Sequence, residues 1–217
     1  GFAFDNECPA MAVRLDGFEI DSAPVSAGAF ARFVEAGGYD KAPYWPQDAG
    51  VWRAQSPHAH PQQWRRAPGG DWQVRWFDQW RALDEQAPAM HINAFEAQAY
   101  CLWAGRRLPS AAQWEHAAHT HSGFHWGHSV WEWTSSPFAP YPGFAPGPYH
   151  AYSQPWFGDH RELRGGAFAT HHRMRGGVHA QVREYKFNVV AVARRAHAHL
   201  QAVGHGLAGK RTKARHL

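Results

Sequence analysis

The sequence predicts an α+β fold, rich in loops, with short helices ahead of an irregular β-sheet. Helix start and stop signals cluster before residue 120, and short apolar runs separated by Gly and Pro follow it. The chain is also unusually aromatic, with 12 Trp, 13 Phe and 7 Tyr beside 21 Gly and 15 Pro. An indole is large and flat, and its N–H needs a partner when buried. Gly permits positive φ, and Pro fixes φ and removes a ladder donor. Together these residues point to large side chains pinning irregular loops. The 217 residues are enough for one compact domain with a sizeable core.

The elements follow in order. Residues 11–21 alternate partly and read as a strand entering a turn. Ser26 is placed to N-cap a helix over 27–36 that Gly37-Gly38 closes. Its Phe30, Phe33 and Val34 share one helical face. From 39 to 86 periodicity is lacking, and Trp45, Trp52, Trp64, Trp72, Trp76 and Trp80 punctuate Pro, Gly and Gln. That is too long for an inert loop, so a functional loop region held by its own side chains is expected. Asn93 with Glu96 three residues on has capping-box spacing, and the helix should run to Ala104 with Gly105 at C′. Ser110 should N-cap a third helix over 111–118. Strands are expected at 130–133, 162–164 and 189–193. The domain is expected to span 1–196, with a basic, disordered tail over 197–217 ending in Lys210-Arg211-Thr212-Lys213-Ala214-Arg215.

Several function classes are disfavoured. The formal net charge is +4, yet the only dense basic run is that tail, so nucleic-acid binding is not expected. No apolar stretch approaches the ~20 residues of a membrane span, so no membrane partner is expected. Cys8 and Cys101 form neither a disulfide framework nor a CxxC site; they fit a reducing compartment, and a cytoplasmic location is expected. His116, His119, His121, His125 and His128 crowd one stretch, with His121 and His125 at a metal-clasping i, i+4 spacing. Gly123 and Gly127 argue against a helix there, and no metal ligand is assigned to this chain.

Several motifs resemble a known superfamily. Ile20-Asp21, Pro24-Val25, Phe30, Phe33-Val34 and Gly37-Gly38-Tyr39 look like an entry strand and first helix. Residues 91–115, from His91-Ile92-Asn93 through Gly105-Arg106-Arg107-Leu108-Pro109 to Trp114-Glu115, are similar to its most recognisable run. Val130-Trp131-Glu132-Trp133-Thr134 and Leu163-Arg164-Gly165-Gly166 complete the set in family order. The chain thus resembles the formylglycine-generating-enzyme-like superfamily, which implies a C-type-lectin-like α+β fold. Formylglycine-generating enzymes carry a copper-binding cysteine pair after the Arg-Gly-Gly motif. Here no cysteine follows Cys101, and a cuprous site needs soft thiolates.

Gly1-Phe2-Ala3-Phe4-Asp5-Asn6-Glu7, Pro140-Tyr141-Pro142-Gly143-Phe144 and Tyr149-His150-Ala151-Tyr152-Ser153 are similar to the ergothioneine-type sulfoxide-synthase branch, or to the related selenoneine synthases. That resemblance implies an oxidoreductase joining sulfur or selenium to the imidazole C2 of histidine betaine with O2 and non-haem Fe(II). The co-substrate would be a thiol or a selenosugar. The iron ligands would come from an N-terminal helical domain with a His-x3-His-x-Glu run, without which this module would be inactive. Tyr152, Tyr149 and Tyr141 are the candidate catalytic residues, since a phenol can donate a proton and stack on an imidazole. Each could instead satisfy a loop carbonyl. Trp156 and Phe157 are candidates for the trimethylammonium, Arg164 and Arg183 for a carboxylate, and Asn188 for a polar substrate contact. The region 171–217 departs from the family pattern. A binding module that kept the scaffold and lost the chemistry is the alternative.

Overall fold

The computed structural model describes residues 5–125 and 130–170 and the strand segments 179–182, 188–190 and 193–195. The expected tail, and the domain boundary at 196, lie outside them. Among the described residues there are four α-helices: α1 (Ala27–Glu35), α2 (Asp48–Gln55), α3 (Ala94–Trp103) and α4 (Ala111–Thr120). Nine strands of the described residues form three small sheets. β1 (Phe18–Ile20) pairs antiparallel with β9 (Ala193–Arg195). β2 (Trp64–Arg66), β3 (Trp72–Trp76) and β4 (Gln79–Ala82) make an antiparallel meander. The third sheet has the order β7-β6-β5-β8, from β5 (Trp131–Pro137), β6 (His160–Gly165), β7 (His179–Val182) and β8 (Asn188–Val190). Only its β5–β8 pair is parallel. No described helix is long and apolar enough to cross a membrane.

The helices start and stop where short-range chemistry dictates. The Ser26 side chain accepts from Ala29 N at 3.2 Å, and Gly37 follows α1 at φ 71°. Asn93 and Glu96 form a reciprocal capping box on α3, and Ser110 and Gln113 form another on α4. Gly38 sits where an added Cβ would lie 2.1 Å from the Phe33 ring, so the chain can pass this close to α1 only without a side chain.

The stretch 39–86 is more regular than its sequence indicates. It contains α2 and the β2-β3-β4 meander. The strand alternation is hidden because large residues occupy both faces: Trp64, Trp72 and Val74 turn toward the core, while Trp80 packs with arginines on the other side. Conversely, the partly alternating residues 11–21 yield only the three-residue β1.

The core joins α1 and α3 through an aromatic cluster. Phe30 stacks on Tyr100 at 5.4 Å, and Phe33 meets Tyr39, Trp45, Tyr100 and Trp103. The indoles also bond irregular backbone. Trp45 Nε1 donates to Gly38 O at 2.9 Å, Trp64 Nε1 to Met90 O at 3.1 Å and Trp133 Nε1 to Ile92 O at 2.9 Å. Within this core Tyr39 Oη donates to Glu96 Oε1 at 2.7 Å while Asn93 N donates to Glu96 Oε2 at 2.8 Å. One buried carboxylate therefore caps α3 and satisfies a buried phenol. Glu96→Ala is expected to cost on the order of 3 kcal/mol, because it strands the Tyr39 hydroxyl and removes half the capping box. Urea denaturation checks it, with Glu96→Gln losing clearly less.

Candidate active site

Strands β5 and β6 separate two environments. Trp133 and Leu163 lie opposite each other and turn into the main core. Glu132 and Arg164 are likewise opposite, on the other face with Thr134 and Glu162. All four of these polar residues are buried. Helix α4 covers them. Its Trp114 Nε1 donates to Glu132 Oε2 at 3.0 Å, and its Glu115 Oε2 lies 3.1 Å from Arg164 Nη1. Thr134 Oγ1 donates to the Glu162 carbonyl at 2.8 Å.

Arg164 ties three elements together. Besides Glu115 on α4 it faces Glu162 Oε2 at 3.6 Å on its own strand, and its Nη2 donates to Tyr141 Oη at 3.4 Å in the loop after β5. Its side chain is only 4% exposed. A guanidinium so placed needs its carboxylates, since an unpaired buried charge costs several kcal/mol. Burial and the neighbouring Glu162 raise the Tyr141 pKa. Burial also raises that of Glu162, against the pull of Arg164. Among the described residues, Arg164 Nε, Glu162 Oε2 and Glu132 Oε1 have no hydrogen-bond partner.

The tyrosine loop is anchored from the beginning of the chain. Asp5 Oδ1 accepts from Ser153 Oγ at 2.5 Å, and Asp5 Oδ2 from Gly147 N at 3.2 Å. Ser153 is fully buried. Tyr152 is half-buried, and burial, then Glu7 and Asp5, raise its phenol. At the far side Phe138 N donates to His160 O and Gly158 N to Phe138 O, closing the loop on β6.

The other sequence-predicted residues fall as follows. Tyr149 is 69% exposed, and its carbonyl accepts from Tyr152 N. Phe157 packs between Phe138 and Phe144, so its ring seats the loop. Trp156 meets the His160 ring edge-on and stays 44% exposed. Asn188 opens β8 opposite Trp131. Arg183 lies outside the described residues. The structure thus brings Tyr141 and Arg164 together. Sequence reasoning did not single out Asp5, Glu115, Glu132 or Glu162 for the site. Of these only Glu132 has a local signal, a carboxylate set between two indoles in Trp131-Glu132-Trp133.

These features define a class: an α+β scaffold domain that carries a buried arginine–carboxylate cluster and a clamped tyrosine loop. The profile of the sulfatase-modifying factor enzyme 1-like domain matches residues 1–130. The chain belongs to that family, and the α+β fold expected of it is the one observed. The chain is similar to the hercynine oxygenases of Mycobacterium tuberculosis (33% identical over 211 residues) and Mycolicibacterium smegmatis (33% over 215 residues). Both alignments cover 77% of this chain and 49% of the relative. It is also similar to the formylglycine-generating enzyme of Mus musculus, 32% identical over 124 residues, with 52% of this chain and 33% of that protein covered. The chain spans about half the length of the hercynine oxygenases it matches.

Two predictions arise here. Asp5→Ala is expected to loosen the tyrosine loop while leaving the aromatic core intact: amide exchange at Gly147 should accelerate, and that at core positions such as Phe33 should not. Glu132 gives a pH signature. Burial pushes its carboxyl up to about 8, against the lowering effect of the Trp114 N–H. The fold accepts the neutral acid, so this contribution is complete below the ordinary value of 4.5 and is lost as pH rises through about 8. Glu132→Gln keeps the neutral shape. Its melting temperature should therefore fall less than the parent's between about pH 5 and about pH 8 in scanning calorimetry.

Proposed function

We propose that this chain is the substrate-binding and proton-donating module of an oxidoreductase that acts on histidine betaine with O2. It would form a C–S or C–Se bond at the imidazole C2, as in ergothioneine or selenoneine synthesis. The observation that carries this reading is the similarity to hercynine oxygenases across 77% of the chain, hercynine being histidine betaine. That span is wider than the 52–57% matched by formylglycine-generating enzymes. The cysteines also favour it: both are free, Cys101 is buried with its thiol pushed upward, and no cysteine follows it.

Fe(II) is the cofactor this reading implies. Among the described residues no three His, Cys, Asp or Glu gather into a group that could hold a metal ion. The described residues therefore do not fit an iron site. The chain's own groups have these roles. Tyr152, kept protonated by burial and by Glu7 and Asp5, presents an O–H for proton donation. Tyr149 and Tyr141, on the same loop, are further donors. Trp156 offers an aromatic face to the trimethylammonium, and Phe157, packed on Phe138 and Phe144, seats the loop that carries it. Arg164 is already balanced by Glu115 and Glu162, so it holds Tyr141 in place. Arg183 and Asn188 are left to meet the polar ends of the substrates, including the thiol or selenosugar co-substrate.

Calorimetric titration of histidine betaine into this chain tests the proposal. Measurable heat at millimolar ligand is expected, retained in Tyr152→Phe and reduced severalfold in Trp156→Ala, as the loss of a partly exposed cation–π contact implies. No heat at that concentration would sink the idea of a substrate pocket within this chain.

A further inference from the structure

The outer face of the β2-β3-β4 meander carries a second, unrelated constellation. Register places Arg65, Gln73, Arg75 and Trp80 together on this face, while Trp64, Trp72 and Val74 take the core side. The Arg65 guanidinium carbon lies 4.3 Å from the Trp80 ring centroid, and that of Arg75 lies 5.5 Å from it. Each guanidinium is fixed by its inner nitrogen. Arg65 Nε donates to Gln73 Oε1 at 2.8 Å, and Arg75 Nε donates to Phe77 O at 2.7 Å. Among the described residues, no hydrogen bond or ion pair engages their outer nitrogens. Neither arginine has a carboxylate partner among the described residues, whereas neighbouring Arg66, on the opposite face, is paired with Glu35 at 2.6 Å.

Two arginines held over one indole without a counter-ion form a built anion-binding surface. Their side-chain entropy is already largely spent, and the planar fork of each suits bidentate recognition of a carboxylate. The spacing narrows the occupant. Arg65 lies opposite Gln73, and Arg75 stands two residues further along β3. That cross-strand diagonal sets the two side chains about 7–8 Å apart, close to the ~7 Å between alternate side chains of an extended chain. The flanks narrow it further. Asp71 lies in the turn at one end of β3, with Asp84 and Glu85 beyond β4 at the same end, and Asp78 lies in the turn at the other. A long phosphate backbone tracking across the sheet would meet these acids at both ends. The Trp80 face under Arg65 is also taken, which removes a platform for a nucleic-acid base.

We infer that the outer face of this meander docks an acidic polypeptide segment of a partner protein, extended and carrying two carboxylates two residues apart, on Arg65 and Arg75.

The test uses the full 217-residue chain. A labelled peptide Gly-Ser-Glu-Thr-Glu-Ser-Gly, its Gln-for-Glu counterpart and oligothymidylate are titrated by fluorescence anisotropy at low and high salt. The Glu peptide is expected to bind, to weaken with salt, and to exceed the Gln peptide by about tenfold or more. Arg65→Gln/Arg75→Gln should lose that preference with an unchanged melting temperature. Arg65→Lys/Arg75→Lys keeps the charge without the fork and should fall between; it decides the matter should the Gln variant fail to fold. Equal binding of the two peptides, no binding of either, or undiminished binding by the variants would overturn the inference. So would tighter binding of oligothymidylate, which would assign the face to phosphate.

Discussion

The constraint on which this fold depends is the pairing of irregular backbone in a crowded interior. Regular strands and helices satisfy their own N–H and C=O groups, but this chain devotes long stretches to neither. The carbonyls of Gly38, Met90 and Ile92 lie outside the nine strands of the described residues, and each is met by an indole N–H, from Trp45, Trp64 and Trp133. A tryptophan there does two jobs. It fills volume that short helices and three-residue strands cannot, and it neutralises a buried acceptor. Replacing it by a purely apolar residue would serve only the first.

Glu96 and Glu132 extend the same logic to side chains. Glu96 is buried with both oxygens engaged, and it locks α3 to the Tyr39 turn. Glu132 is buried with one oxygen on Trp114 and the other without a partner among the described residues. The first is a settled structural device. The second sits beside the Arg164 cluster, on the polar face of a sheet whose other face is core. Stable packing of Trp133 and Leu163 thus holds up a polar arrangement that is itself expensive to bury.

How much of this was legible depends on the range of the interactions. Caps were readable, because Ser26, Asn93–Glu96 and Ser110 act within three or four residues of their targets. The meander was not, because its alternation places Trp on both faces and only register shows which side meets the core. The site was half-legible. Tyr141 and Arg164 were named from motif resemblance. That Arg164 reaches Glu115 on α4 and Tyr141 in the next loop depends on strand pairing and helix placement, which no local pattern encodes. Asp5 belongs to the same category: its partners Gly147 and Ser153 lie more than a hundred residues away.

The clamps at the two ends of the tyrosine loop also set its chemistry. Asp5 and Glu7 lie beside Tyr152, and Glu162 and Glu115 lie near Tyr141. Burial chiefly disfavours a phenolate at both, and the acids add to the effect, so both tyrosines are held as O–H donors through neutral pH. Arg164 opposes this at Tyr141, but its charge is shared between two carboxylates. A tyrosine meant to act as a base would need the reverse arrangement, with a lone cation and few acids. The same contacts that fix the loop therefore suit its tyrosines, in the proposed role, to giving up a proton rather than taking one.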